Sequence, residues 1–219
     1  MASNIGYQIF GQDVLTYDLK MFKNRLCSVC SLFTTEDIGF VPFYRVLSQG
    51  KTYTMDQILQ ICHEMGYDQE FREMILLDSI VFNQDRHMGN FGFMVHNETQ
   101  KIIGFSPLFD FNVSMLCNAM PEDFRDYEAY ERNYMVGHKL GGEFLDVGRA
   151  IMTEELREKL PEQIILPHHE KYNMSADRMS ALQHVLDSQY NKLISESYVV
   201  QMCAENEPEN TFEERIPRM

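Results

Sequence analysis

Positive charge is scarce in this sequence. Of its 219 residues, 19 are Lys or Arg and 33 are Asp or Glu, which gives a formal net charge of −14. This charge argues against a protein that binds nucleic acid by neutralising phosphates. It argues equally against attraction to an anionic membrane surface. The acidic balance identifies no partner by itself, because many proteins carry excess charge that keeps them dispersed.

Long apolar segments are also missing. No stretch approaches the roughly 18 consecutive apolar residues of a membrane-spanning helix. The first residues, Met1 to Gly6, lack the basic and apolar regions of a signal peptide. We therefore expect a cytoplasmic protein. With 44% hydrophobic residues, the chain can build a sizeable core as one large domain or two small ones.

The five cysteines are odd in number and scattered, unlike a disulfide framework. Cys27 and Cys30 have the CxxC spacing, but no second pair of ligands nearby completes a zinc site. Their flanks predict a strand, whereas a redox-active pair is typically found at a helix start. We interpret both as reduced thiols in a strand.

Hydrophobic periodicity and turn residues predict an α+β fold that is mostly helical. The segment 69–82 is apolar enough for a central buried helix, and a polar loop at 96–100 predicts a hairpin. Residues 112–142 lack periodicity and predict irregular structure with short helices. The predicted helices span residues 2–10, 54–65, 69–82, 142–152, 154–159 and 175–202, and the predicted strands span 14–19, 26–33, 91–95 and 101–106.

Chemistry is concentrated in the stretch 83–90 and, after the hairpin, in residues 108–112. Phosphoryl transfer from ATP needs a carboxylate that orients the attacking hydroxyl and oxygen ligands that hold Mg²⁺. Asp85 and Asn90 are five residues apart, as in the catalytic loop of kinases. The hairpin returns the chain so that Asp110 comes beside Asn90. Each residue alone could form a turn, a cap or a surface ion pair, but the ordered set favours catalysis.

These stretches, at residues 77–92 and 106–112, resemble the HipA-like kinases, the serine/threonine kinases of bacterial toxin–antitoxin systems and their relatives. The resemblance covers roughly residues 1–200 and implies a kinase C-lobe that uses ATP and Mg²⁺ on a protein substrate. It implies that Asp85 is the catalytic base and that Asn90 and Asp110 bind the metal. Arg86 and His87 would support the catalytic loop.

The resemblance also implies a division of the chain. Residues 1–35 would be a remnant of the N-lobe and hinge, residues 36–203 the C-lobe, and residues 204–219 a flexible acidic tail. The hinge would bring the backbone of Ser31, Leu32 and Phe33 to the adenine of ATP.

The sequence departs from the family in the part of the site that binds the ATP phosphates. Related kinases have a strand lysine and a covering loop, whereas Lys20 and Lys23 occupy no such setting and no G-x-G-x-x-G loop occurs. The chain would then be the catalytic part of a split or truncated kinase whose N-lobe comes from a partner protein. Alternatively, it would be a pseudokinase-like module that pairs with an antitoxin-type regulator. A lipid or small-molecule kinase is a third candidate, against which the acidic charge counts.

Two further stretches contain residues that phosphate or metal sites often use. Residues 137–142 are rich in glycine and contain Lys139, but no strand–loop–helix pattern marks a phosphate cradle. In kinase topology this stretch would follow the activation segment and lie near the peptide substrate. His168 and His169 are adjacent, and because neighbouring histidines rarely chelate one ion, they predict a surface loop.

Overall fold

The computed structural model describes residues 1–135 and 137–195, in which helices and short strands form an α+β fold. Short 3₁₀ turns follow α1, follow β3 and precede α4. None of the helices in these ranges is both long and apolar enough to cross a membrane. The elements, in chain order, are α1 Ala2–Phe10, β1 Asp18–Phe22, β2 Arg25–Val29, β3 Ile38–Pro42, α2 Met55–Glu64, α3 Asp68–Val81, β4 Gly92–His96, β5 Ile102–Phe105, α4 Tyr127–Tyr134, α5 Phe144–Ile151, α6 Glu154–Lys159 and α7 Ala176–Ile194.

Helix α3 forms the centre of the fold, as its dense apolar run predicts. From Met74 to Val81 every residue is buried, so the helix has no solvent-facing side over these two turns. Helices α1, α2, α5 and α7 all pack against it. The stretch 83–90 follows directly after α3 and therefore starts from a fully buried part of the core.

Helix α1 confirms the prediction for residues 2–10 and belongs to the same core. Ile5 and Ile9 are buried in the cluster that contains α3, and Gly6 lies close to the Leu77 side chain. The backbone then runs beside residue 108, where the Leu15 N–H donates to the Leu108 carbonyl at 2.9 Å. The strand predicted at 14–19 lies further along the chain, as β1, which begins at Asp18. The predicted division of the chain at residue 35 stays a prediction.

Strands β1 and β2 form a separate antiparallel hairpin. Its turn consists of Lys23 and Asn24, both with positive φ, a conformation that Asn tolerates well. The strand predicted through Phe33 ends earlier, at Val29. The hairpin exposes three apolar side chains: Met21 (53% exposed) and Leu26 (49%) are cross-strand partners on one face, and Phe22 (64%) lies on the other face.

The other sheet has the antiparallel order β3-β4-β5. The hairpin of β4 and β5 confirms the sequence prediction, whereas β3 was not predicted. Only five residues long, β3 contains a glycine and ends in Pro42, so its local signal is weak. Pro42 is tolerated because β3 pairs only with β4 among the described strands and is therefore an edge strand. The residue opposite Pro42 is Gly92.

Helix boundaries agree with the capping residues in the sequence. Thr54 and Gln57 form a reciprocal capping box at the start of α2. The Ser175 side chain caps α7, which ends at Ile194. The predicted continuation to residue 202 and the acidic tail lie outside the described residues. Helix α4, which follows a 3₁₀ turn, is one of the short helices expected within 112–142.

The close approach of β3 and β4 gives a first prediction. A Cβ at Gly92 would lie 2.1 Å from the Val41 carbonyl oxygen and 2.8 Å from the Phe43 nitrogen, both backbone atoms. We therefore expect Gly92→Ala to lower the free energy of unfolding by about 1–3 kcal/mol in urea denaturation. Gly104→Ala in β5 is the matched control, because its Cβ would meet no atom within 4 Å. Equal stability of the two variants would contradict this packing.

Candidate active site

A buried ion pair lies beneath the predicted catalytic loop. Asp78, in the last turn of α3, and Arg86 are both fully buried. Arg86 Nε donates to Asp78 Oδ2 at 2.8 Å, and Arg86 Nη2 donates to Asp78 Oδ1 at 3.0 Å. Asn83 Nδ2 adds a third hydrogen bond to Oδ1 at 2.8 Å. Such a pair is stable only when these bonds compensate the loss of hydration.

The same guanidinium also binds two backbone segments. Arg86 Nη1 donates to the carbonyl oxygens of Asn90, at 2.8 Å, and of Phe109, at 2.6 Å. Its Cζ lies 5.1 Å from the centre of the Phe111 ring. One side chain therefore joins α3, the end of the catalytic loop and the segment around Asp110. We call Asp78, Asn83 and Arg86 the central hub.

His138 approaches the hub from the glycine-rich stretch. Its Nδ1 accepts a hydrogen bond from the Leu140 N–H at 3.2 Å, so in the neutral ring the hydrogen is on Nε2. Nε2 lies 3.5 Å from Asp78 Oδ2. Burial by itself would raise the pKa of Asp78, but Arg86 and His138 together hold it below its ordinary value.

The backbone of Asp85 is held from both sides. Its N–H donates to Asn83 Oδ1 at 3.3 Å, and its carbonyl accepts a bond from Asn90 Nδ2 at 3.2 Å. The loop begins after α3, whose C-cap residue Phe82 has a left-handed φ of 54°. With its backbone held in this way, the Asp85 side chain is 41% exposed and available to a substrate.

Asp85 has a cationic neighbour from a distant part of the chain. Lys139 Nζ lies 2.5 Å from Asp85 Oδ1, and the lysine side chain is 48% exposed. This hydrogen bond is the main reason why the pKa of Asp85 lies below its ordinary value. The carboxylate is therefore ionised at neutral pH, as a proton acceptor must be.

Asp110 is held in a positive-φ conformation, with φ 59°. Its N–H donates to Tyr17 Oη at 3.3 Å, and its carbonyl accepts from Asn83 Nδ2 at 3.4 Å. Asn112 Nδ2 donates to Asp110 Oδ1 at 2.7 Å. The hub thus contacts the backbone of both predicted metal ligands, because Arg86 binds the Asn90 carbonyl and Asn83 binds the Asp110 carbonyl. Binding of a metal by the two side chains stays a prediction.

The donor set of Asn90 and Asp110 fits Mg²⁺. Because Asn90 Nδ2 is bonded to the Asp85 carbonyl, the amide oxygen is the atom left to face a cation. One amide oxygen and one carboxylate suit a metal that keeps water and phosphate oxygens as its other ligands. In the ranges that the structure describes, no group of three or more His, Cys, Asp or Glu could hold a metal ion. The pair would therefore depend on ligands from a bound nucleotide.

The predicted adenine-contacting residues divide into two kinds. Phe33 packs on Phe109 and Phe40, with ring centres 5.2 and 5.7 Å away. It therefore lies beside the residue that precedes Asp110. The side chains of Ser31 and Leu32 are exposed, that of Leu32 by 88%. Contact of these three residues with adenine stays a prediction.

His87 lies at the surface of the loop, where its Nδ1 accepts a hydrogen bond from the Gly89 N–H at 3.0 Å. The ring therefore shapes the turn that leads to Asn90. Arg86, the other predicted supporting residue, is the cation of the central hub.

The remaining candidate residues lie away from the site. Lys20 pairs with Asp18 at 3.6 Å and is 68% exposed, and Lys23 lies over the Phe22 ring. His169 Nε2 contacts Asp18 Oδ1 at 3.0 Å, which ties the β1–β2 hairpin to the helical part. Cys27 lies in β2 and Cys30 follows it, and both are free thiols.

Four residues of the site received no individual role from the sequence: Asp78, Asn83, His138 and Lys139. Asn83 lies in the stretch 83–90, and the stretch that contains His138 and Lys139 was expected near the peptide substrate. A signal for Asp78 does exist, because a carboxylate within an otherwise apolar helix must be paired when that helix is buried. The role of His138 and Lys139 depends on a contact across more than 50 residues, which no local pattern reveals.

The fold is kinase-like. The chain is similar to the crystal structure of the proinflammatory kinase CtkA from Helicobacter pylori, with a TM-score of 0.62 and 19% sequence identity. The similarity covers 88% of this chain and 82% of that one. No protein-family model matches the chain, and no curated protein matches it.

The hub gives a second prediction. We expect Asp78→Asn to lower the free energy of unfolding by about 3–5 kcal/mol, because it leaves the Arg86 charge buried without its partner. Asp85→Asn is the matched control, since an exposed ion pair contributes only about 0–1 kcal/mol. Chemical denaturation measures both. If Asp78→Asn were as stable as Asp85→Asn, the hub would not hold the loop.

Proposed function

We propose that this protein is an ATP- and Mg²⁺-dependent phosphotransferase that acts on serine or threonine hydroxyls of a protein. The observation that carries the proposal is the central hub, through which one buried arginine binds the segments of Asp85, Asn90 and Asp110 within a kinase-like fold. These three residues supply the proton acceptor and the metal ligands that phosphoryl transfer requires.

Asp85 acts as the base. The acceptor hydroxyl oxygen forms a bond to the γ-phosphorus of ATP while the bond from that phosphorus to the bridging oxygen breaks, and ADP leaves. The hydroxyl proton passes to Asp85, whose lowered pKa keeps it ionised beforehand. The backbone hydrogen bonds to Asn83 and Asn90 fix the position from which the carboxylate reaches the hydroxyl.

Asn90 and Asp110 hold Mg²⁺ together with the nucleotide phosphates. When bound, the ion neutralises the charge that develops on the phosphate oxygens. The positive φ of Asp110 and its bonds to Tyr17 and Asn83 direct the carboxylate before the nucleotide arrives. Phe33, supported by Phe40 and Phe109, offers an apolar surface to the adenine beside the hinge backbone of Ser31 and Leu32.

The acceptor is a protein rather than a lipid. A net charge of −14 gives no attraction to the anionic membrane surface on which lipid substrates lie. The resemblance of residues 77–92 and 106–112 to HipA-like serine/threonine kinases supports the same choice.

A second candidate is binding of another protein through the β1–β2 hairpin, either an antitoxin-type regulator or a separate N-lobe. The exposed side chains of Met21, Phe22 and Leu26 favour it, because a two-stranded hairpin with exposed apolar residues is marginal alone. If this binding were the whole function, loss of Asp85 or Asp110 would leave it intact.

Variants of the two carboxylates separate binding from chemistry. We expect Asp110→Ala to abolish Mg²⁺-dependent ATP binding in calorimetry, since it removes one of the two protein ligands to the metal. Asp85→Asn should keep Mg-ATP binding and lower the phosphotransfer rate about 10²–10⁴-fold, because the proton acceptor is lost. Transfer of radiolabel to protein and to lipid acceptors measures that rate and compares the substrates.

Asp146→Asn, in the first turn of α5, is a charge-matched control that should bind and react like the unchanged protein. Absence of Mg-ATP binding by the unchanged protein, alone and with a separately supplied N-lobe, would rule out the kinase function.

A further inference from the structure

The glycine-rich stretch forms a defined loop, which we call the 137–142 loop. The His138 N–H donates to the Gly142 carbonyl at 2.9 Å, and the Gly141 N–H donates back to the His138 carbonyl at 2.8 Å. Gly137 and Gly142 have φ values of 72° and 92°. A Cβ on Gly137 would lie 2.6 Å from the Gly142 oxygen, so the closed loop requires glycine there.

Two neighbouring side chains of this loop point to two parts of the site. His138 is buried and contacts Asp78 of the central hub, which anchors the loop. Lys139, the next residue, is half exposed and reaches the Asp85 carboxylate. The loop therefore holds a half-exposed cation beside the Asp85 carboxylate, and the loop is anchored on the same hub that positions Asp85.

The site needs such a cation. The γ-phosphoryl group gathers negative charge while it lies between the attacking hydroxyl and ADP, and it must therefore come close to Asp85. Arg86 cannot approach it, because its donors are directed to Asp78 and to two backbone carbonyls inside the core. Lys20 and Lys23 lie on the β1–β2 hairpin, where Lys20 pairs with Asp18.

An ordinary surface ion pair would not require the closed 137–142 loop or its buried His138. Exposed pairs contribute little to stability and need no glycine-dependent loop or buried anchor. The lysine side chain has a flexible four-carbon stem and three donors, so it can turn from the carboxylate to a phosphate oxygen over a short distance.

We propose that Lys139 binds the terminal phosphate of the nucleotide and thereby replaces the phosphate-gripping lysine that the sequence lacks elsewhere. This inference rests on the proposed kinase function and deepens it. Because the terminal phosphate distinguishes ATP from ADP, Lys139 makes the site prefer ATP. In the protein without nucleotide, its partner is Asp85.

Nucleotide binding tests the proposal. Calorimetry with Mg-ATP and Mg-ADP compares the unchanged protein with Lys139→Met, Lys139→Arg and, as a matched control, Lys101→Met, which removes an exposed lysine outside the site. We expect Lys139→Met to weaken Mg-ATP binding by about tenfold or more and to leave Mg-ADP binding unchanged, since only ATP presents the lost contact. Lys139→Arg should restore part of the affinity, and Lys101→Met should have no effect.

Several results would overturn the inference. If Lys139→Met bound Mg-ATP as tightly as the unchanged protein, Lys139 would be an ordinary surface residue, although a loss of binding in Asp110→Ala would still support the kinase function. A faster rate in Lys139→Met would mean that the lysine blocks Asp85. Equal weakening of Mg-ATP and Mg-ADP would indicate a general effect on the site. No nucleotide binding by the unchanged protein would reject both proposals.

Discussion

The bidentate pair of Asp78 and Arg86 is the interaction on which the site depends. It joins the end of the central helix to two separate backbone segments, Asn83 donates a further bond to the carboxylate, and His138 lies against it. Replacing such a pair by apolar side chains can be neutral or stabilising in other proteins, so stability alone does not explain its presence. An apolar substitute, however, could not donate to the carbonyls of residues 90 and 109. The main effect of the pair is therefore to fix the positions of these backbone segments, and its contribution to the free energy of folding is secondary.

This constraint explains the contrast between the two sides of the loop. Below it, the side chains of the hub are buried and hydrogen-bonded to one another and to backbone carbonyls, whereas above it Asp85 and Lys139 are nearly half exposed. A transferring group needs fixed positions for the atoms that bind it and open access for the acceptor. The kinase-like fold meets both needs by placing the loop at the end of a helix that is buried on all sides.

The sequence was sufficient for those features that are local. The spacing from Asp85 to Asn90, the capping box at Thr54 and the β4–β5 hairpin all depend on residues a few positions apart. Strand β3 was missed because it is held by its pairing with β4, about 50 residues further on, and not by its own composition. The contact of Lys139 with Asp85 was missed for the same reason, since chain separation hides it and only the closed glycine loop reveals it.

The segment that precedes the β1–β2 hairpin connects it to Asp110, one of the two predicted metal ligands. Leu15 is hydrogen-bonded to Leu108, and Tyr17 accepts a bond from Asp110 one residue before β1 begins. A displacement of the hairpin would therefore reach Asp110 through the Tyr17 side chain. If the hairpin binds a partner and Asp110 takes part in nucleotide binding, as proposed, the two binding events would be coupled, and each would change the affinity of the other by the same factor.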